Sequence, residues 1–271
     1  GGGTWANITN GGIYGGALTT TLTLTGVTAL MNTYQYRCVV TGNCAPLTAT
    51  STSAILTVNA LTNISSQPTP VTICANANTS FSVAATGTAL TYQWQVSTNG
   101  GVSFSNLSNG APYSTVTTNT LNITAATTTL NTYQYRCVIS GLCTPVNSTA
   151  TVLTVNAAPT VTTQPANTSI CAGNNVSFSV GAVGAGLTYQ WQLSTDGGVT
   201  FNNIGGATAV TYSFVALLAQ NNNQYRCVVS GTCTPAATSA AAILSVGTTL
   251  IINSQPAAAI VCAGANTAYS V

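Results

Sequence analysis

Apolar residues in this chain alternate with polar ones in short runs, the pattern of strands that bury one face. Phe81, Val83 and Ala85 alternate with small or polar residues, and Tyr92, Trp94 and Val96 alternate with Gln93, Gln95 and Ser97. Leu121 and Ile123 follow, then Tyr133, Tyr135, Cys137 and Ile139, then Thr151, Leu153 and Val155. Turn residues part the runs: Asn99-Gly100-Gly101, Asn109-Gly110-Ala111-Pro112 and Ser140-Gly141. No stretch carries a helical stripe. Thr, Asn, Ser, Val and Gly dominate, and these suit strands and turns better than helices. Several short antiparallel strands with one buried face each predict a two-sheet sandwich, and hence an all-β fold.

The run of strands recurs. Tyr-Gln-Tyr-Arg-Cys-Val stands at 34–39 and 133–138, and Gln-Tyr-Arg-Cys-Val at 224–228. Each is followed by (Thr/Ser)-Gly-x-Cys-x-Pro, ending at Pro46, Pro145 and Pro235. Cys137 follows Cys38 by 99 residues and Cys227 follows Cys137 by 90, while Cys171 follows Cys74 by 97 and Cys262 follows Cys171 by 91. Unequal spacing means that loops vary while strands keep their places. A unit of about 90–100 residues is a small self-contained domain, too long for a solenoid coil. The expected division is a partial copy at 1–60, whole copies at 61–156 and 157–247, and a partial copy at 248–271. The joins carry no Gly/Ser tract and one contains Pro159, so they predict an extended rod rather than beads on a string. Residues 1–5 match 100–104, and Val271 matches Val180. Two readings follow: a window from a long repetitive chain, or a head-to-tail polymer in which the last strands of one chain complete the open first copy of the next.

Trp94 with Tyr135 and Cys137, and again Trp191 with Tyr225 and Cys227, resemble the immunoglobulin fold, in which a Trp on strand C precedes Tyr-x-Cys on strand F. The resemblance implies that these residues, and Cys38 in the first copy, are core positions, with the Tyr forming a tyrosine corner. It also implies a strand B cysteine, but Val83 and Val180 stand there, so the usual core disulfide cannot form. The wider pattern is Tyr-Gln-Trp-Gln-x-Ser-Thr-(Asn/Asp)-Gly-Gly, then Tyr-Arg-Cys-Val-(Val/Ile)-Ser-Gly-x-Cys. It resembles the immunoglobulin-like repeats of very long secreted surface proteins of Bacteroidota, including gliding adhesins. That resemblance implies export, a cell-surface or extracellular place, and a role as filament, stalk or adhesin spacer. Its partners would be copies of itself or neighbouring repeats of a longer chain.

Composition removes most chemistry. The chain has no His, Lys or Glu; its charged side chains are Asp196, Arg37, Arg136 and Arg226. General acid–base catalysis and an activated Ser or Thr nucleophile both lack a titrating partner. Cys137 lies beside Arg136 in sequence, but neighbours on a strand point to opposite faces. One carboxylate cannot make a calcium site, Cys-x5-Cys without His is not a usual zinc spacing, and three scattered Arg make no phosphate-binding stripe. No enzyme activity, cofactor, metal or nucleic acid is therefore expected. No apolar run approaches the roughly 20 residues of a membrane-spanning helix. Charged residues form 1% of the chain, against about 25% in ordinary soluble domains. A surface of hydroxyls and amides has little self-repulsion, so chains can pack closely.

Nine cysteines indicate an oxidising compartment. If the immunoglobulin resemblance holds, Cys74, Cys171 and Cys262 precede strand B, and Cys44, Cys143 and Cys233 sit in the F–G turn. These turns lie at opposite ends of one sandwich, about 25–30 Å apart by strand rise. Across a join they face each other, which makes Cys74 with Cys233 a candidate pair. A local Cys137–Cys143 link and unpaired small hydrophobes remain the alternatives. A second functional class is a carbohydrate-binding module, for which solvent-facing Tyr113 or Tyr212 would be the glycan contacts.

Overall fold

The computed structural model describes residues 4–271, so residues 1–3 of the match between 1–5 and 100–104 lie outside it. The described chain is all β, with single 3-10 turns at Ala29–Met31, Thr128–Leu130 and Leu218–Gln220 and no α-helix. It divides into two compact units. One contains Gly1–Val71, Asn78–Ala126 and Thr132–Thr154; the other contains Thr72–Ala77, Thr127–Asn131 and Val155–Val271.

In the second unit, one sheet runs in the order Thr168–Cys171, Ala242–Gly247, Gln224–Ser230, Thr188–Ser194, Asn202–Asn203, with Ala237–Thr238 also paired to Gln224–Ser230. The other layer pairs Asn175–Ser179 with Thr211–Val215, and Thr160–Thr163 pairs with Gly181–Val183. Val176, Phe178 and Val180 from one layer meet Trp191, Tyr225, Cys227 and Leu244 from the other in a single core. The period of two is visible directly: Gln224–Ser230 buries every second residue until its end. The first unit repeats the plan with Thr91–Ser97 against Gln134–Ser140 and Thr79–Ser82 against Thr120–Ile123 against Tyr113–Ser114.

Trp94 sits directly across from Cys137, and Trp191 across from Cys227. All four are fully buried. Each indole N–H donates to a carbonyl at 3.0 Å, that of Thr118 or Ala209, so the polar end of the ring is satisfied inside the core. Each cysteine N–H donates to a serine hydroxyl, Ser148 at 2.8 Å or Ser239 at 2.9 Å. Thr91–Ser97 and Thr188–Ser194 end in a tight turn. Gly101 and Gly198 adopt φ of +89° and +93°, and a Cβ on either would fall 2.7 Å from the Gln134 or Gln224 side-chain oxygen. Only glycine fits both demands.

The first copy holds three two-stranded ladders among its described residues. Tyr14–Gly15 pairs with Thr23–Leu24, Gln35–Tyr36 with Ala54–Ile55, and Val39–Thr41 with Thr48–Thr50. Cys38 was expected in a core and is instead exposed. It falls between Gln35–Tyr36 and Val39–Thr41, and among the described residues no strand stands opposite it as Thr91–Ser97 stands opposite Cys137. Residues 248–271 form no strand, and Leu250, Ile251, Ile260 and Tyr269 are exposed.

Trp191→Ala is expected to cost about 3–5 kcal/mol through lost burial and a residual cavity. Exposed Val210→Ala should stay within about 0.5 kcal/mol of the parent. Urea unfolding curves of both variants check the difference.

Candidate functional site: the cysteine-bearing turns

Strand Val71–Cys74 ends in a turn closed by the Ala77 N–H on the Cys74 carbonyl at 3.1 Å. The next N–H, that of Ala75, donates to the Asn156 carbonyl at 2.8 Å. Cys233, in the turn after Gln224–Ser230, brings its Sγ to 3.5 Å from the same Asn156 oxygen. Cys74 and Cys233 are joined by a disulfide, with Cα atoms 5.6 Å apart and a sequence separation of 159. Both belong to the second compact unit. Closing so long a loop removes much freedom from the unfolded chain.

The other four candidates for pairing are free thiols. Cys143 and Cys171 are half-buried, and Cys44 and Cys262 are exposed. The alternative Cys137–Cys143 link is not formed, because Cys137 points into the core while Cys143 lies in the turn beside Asn59, its Sγ 3.8 Å from the carbonyl oxygen.

Burial pushes the Cys137 thiol up to about 11, with a Gln93 backbone hydrogen bond opposing the shift. Cys227 is raised for the same reason. Both stay protonated at neutral pH and are poor nucleophiles. The arginines next to them face outward. Arg136 Nε donates to Gln95 Oε1 at 2.8 Å, and Gln95 Nε2 donates to Asn106 Oδ1 at 2.8 Å. Arg226, Gln192 and Asn203 repeat the ladder. Each guanidinium also lies on an aromatic face: Arg37 over Trp5 at 4.1 Å, Arg136 over Phe104 at 4.0 Å, Arg226 over Phe201 at 3.9 Å. Sequence reasoning missed this pairing, although the aromatic recurs at one place after each Gly-Gly.

Asp196 accepts hydrogen bonds from the Thr200 hydroxyl and N–H, the Ser194 hydroxyl and the Val199 N–H. Those donors, Thr200 first, hold its carboxyl well below the usual carboxylate range. Asn99 occupies the same turn position in the preceding copy and binds Ser97 and Ser103, so the carboxylate is a turn-former. Tyr113 and Tyr212 do not face solvent as free platforms. The Tyr113 hydroxyl meets the Tyr135 hydroxyl at 3.1 Å, whereas the hydroxyl of a tyrosine corner bonds to backbone. Tyr212 packs among Trp191, Phe214 and Tyr225. Among the described residues, no three His, Cys, Asp or Glu cluster to hold a metal, and no helix is long and apolar enough to cross a membrane.

Two-layer β units repeated in series, each closed by a Trp across from a cysteine, define a tandem immunoglobulin-like repeat protein. The I-band fragment I67-I69 from titin is similar in fold, with a TM-score of 0.60 and 15% identity over 89% of this chain and 84% of that one. The IG1+IG2 structure of DIP-gamma has a TM-score of 0.50 and 13% identity over 68% and 97%. The model of a domain of unknown function (DUF8696) matches twice, at residues 63–157 and 160–248, and the chain belongs to that family. No curated protein matches it in sequence.

Two outcomes follow. Native alkylation should modify Cys38, Cys44 and Cys262 readily and spare Cys137 and Cys227 until denaturant is added, as mass mapping will read. The depressed Asp196 contributes stability that is present above its unfolded pKa of about 3.9 and is lost as pH falls through its folded value. Asp196→Asn should therefore lower the neutral-pH melting temperature slightly and flatten the acid-side fall, the two proteins converging as pH falls toward about 2, checked by melts across that range.

Proposed function

We propose that this chain is a structural extracellular repeat protein, a filament, stalk or adhesin spacer built of rigid tandem domains at 1–60, 61–156, 157–247 and 248–271. One observation carries the reading. The Cys74–Cys233 disulfide joins the turn before strand B of one sequence copy to the F–G turn of the next. A covalent tie between successive copies limits their freedom, which serves an extended rod under load and does nothing for catalysis. A disulfide also suits an oxidising, extracellular place.

The surface supports close lateral packing. All three guanidiniums rest on rings, and the lone carboxylate is occupied by its own turn. Copies of the same repeat, in one long chain or several, are the partners this surface fits. The glycan-binding reading has less support, since Tyr113 and Tyr212 are engaged by neighbouring aromatics.

Electron microscopy of the native protein tests the proposal. Regular thin fibres or stalks are the expected image. Globular particles, together with glycan-array binding that Tyr212→Ala abolishes, would favour the carbohydrate-binding class instead.

A further inference from the structure

In the complete copy at 157–247, one sheet edge is bare. Among the described residues, Thr211–Val215 pairs with Asn175–Ser179 and with no strand on its other side. The equivalent strands of the other copies are covered: Tyr113–Ser114 lies along Thr120–Ile123, and Tyr14–Gly15 along Thr23–Leu24. The cause is a shorter internal loop. Leu107 and Ile204 hold one place, each N–H donating to the carbonyl of its copy's Trp at 2.9 Å. Leu121 and Tyr212 hold another, across from Phe81 and Phe178. Leu121 comes 14 residues after Leu107, but Tyr212 comes only 8 after Ile204, so the covering strand is left out.

The backbone groups at this edge have a fixed pattern. The Ala216 N–H donates to the Asn174 carbonyl at 2.8 Å, and the Val180 N–H to the Val210 carbonyl at 3.2 Å. Antiparallel bonds alternate along a strand, so Tyr212 and Phe214 turn their N–H and C=O groups toward Asn175–Ser179. Thr211, Ser213 and Val215 turn theirs to the open side. Thr124 holds the place of Val215 in the preceding copy, and there its N–H donates to the Pro112 carbonyl at 2.9 Å.

The side chains differ at the same place. Asn119, Thr124, Thr127 and Thr128 of the copy at 61–156 align with Val210, Val215, Leu217 and Leu218. Those four apolar residues are 46–58% exposed. Leu121 and Ile123 are fully buried, whereas their counterparts Tyr212 and Phe214 are half-buried rings. Natural edge strands are commonly guarded by a charge or a proline. Residues 204–218 contain neither.

We propose that Thr211–Val215 pairs antiparallel with the same strand of a second copy of this chain, about a two-fold axis at Ser213. This rests on the structural reading above and names one surface by which copies pack side by side. The register follows from the free groups. Ser213 of each copy faces that of the other, and Thr211 of each faces Val215 of the other. These are hydrogen-bonded pairs, so every outward N–H finds a carbonyl. Tyr212 of each copy then stands across from Phe214 of the other as a close pair, which covers more of both rings. Identical edges without charge meet without repulsion. The strands that cover the other copies are already seated, which leaves a like edge as the partner this chain itself supplies. Two-fold pairing also closes on itself, so each bare edge is used once.

Charges placed at the axis test the pairing. Ser213 is exposed, so S213K and S213E leave the core residues in place. With exposed thiols capped by iodoacetamide, sedimentation velocity at low salt reads non-covalent association. The parent is expected to form a species of about twice 27.2 kDa. Either variant alone sets like charges face to face and should weaken association about tenfold or more. A one-to-one mixture of the two sets unlike charges there and should restore it. A second measurement needs no variant: hydrogen exchange at the Thr211, Ser213 and Val215 amides of the parent should slow as its concentration rises. A parent that stays a single chain, association that survives S213K, a mixture that fails to associate, or exchange that ignores concentration overturns the proposal. Each of these ends the two-fold pairing alone, and the micrographs judge the structural role separately.

Discussion

Each complete copy depends on a tryptophan held directly across two strands from a cysteine. In an immunoglobulin sandwich a disulfide joins the layers at this level; here Cys137 and Cys227 are free, buried thiols. The indole fills the volume, and its N–H finds a carbonyl at 3.0 Å, so no buried donor is left unpaired. Around Trp191, the rings of Phe178, Tyr212 and Tyr225 lie within 6.4 Å of one another or of the indole. The sheets need that aromatic mass because the chain offers almost no ion pairs and only short strands.

With the core settled by apolar packing, polar side chains are left to organise the outside. They do so in repeated sets rather than singly. A guanidinium, two amides and a ring form the same ladder over Phe104 and over Phe201. Serine and asparagine or aspartate shape the turn after Thr91–Ser97 and Thr188–Ser194. Asparagine carbonyls at 131 and 221 accept the N–H groups of Val155 and Val246. Copying these sets with the strands lets loop lengths drift without loosening the sandwich.

Much of the sandwich was legible in the sequence because its two signals are local: alternation along Gln134–Ser140 gives the buried face, and Trp with Tyr-x-Cys gives the register between strands. The 3-10 turns were not legible, since Thr128–Leu130 and Leu218–Gln220 share no obvious motif beyond the asparagine after them. Cys38 carries the same neighbours as Cys137 yet is exposed, because burial depends on a facing strand and not on local pattern. The cysteine turns were legible in part. Spacing and fold resemblance put Cys74 and Cys233 forward together, while Cys44, Cys143, Cys171 and Cys262 are free thiols. The hydroxyl pairing of Tyr113 with Tyr135 joins residues 22 apart and left no trace in the alternation.

The protonated cysteine behind each tryptophan has a consequence for pairing fidelity. A sulfur buried at the level of Trp94 or Trp191 cannot reach a neighbouring disulfide, so a connection made at the turns is not scrambled by Cys137 or Cys227. That protection lasts only as long as the sandwich stays shut. Opening a copy would remove that burial, lower its cysteine toward an ordinary thiol pKa and expose a fresh nucleophile.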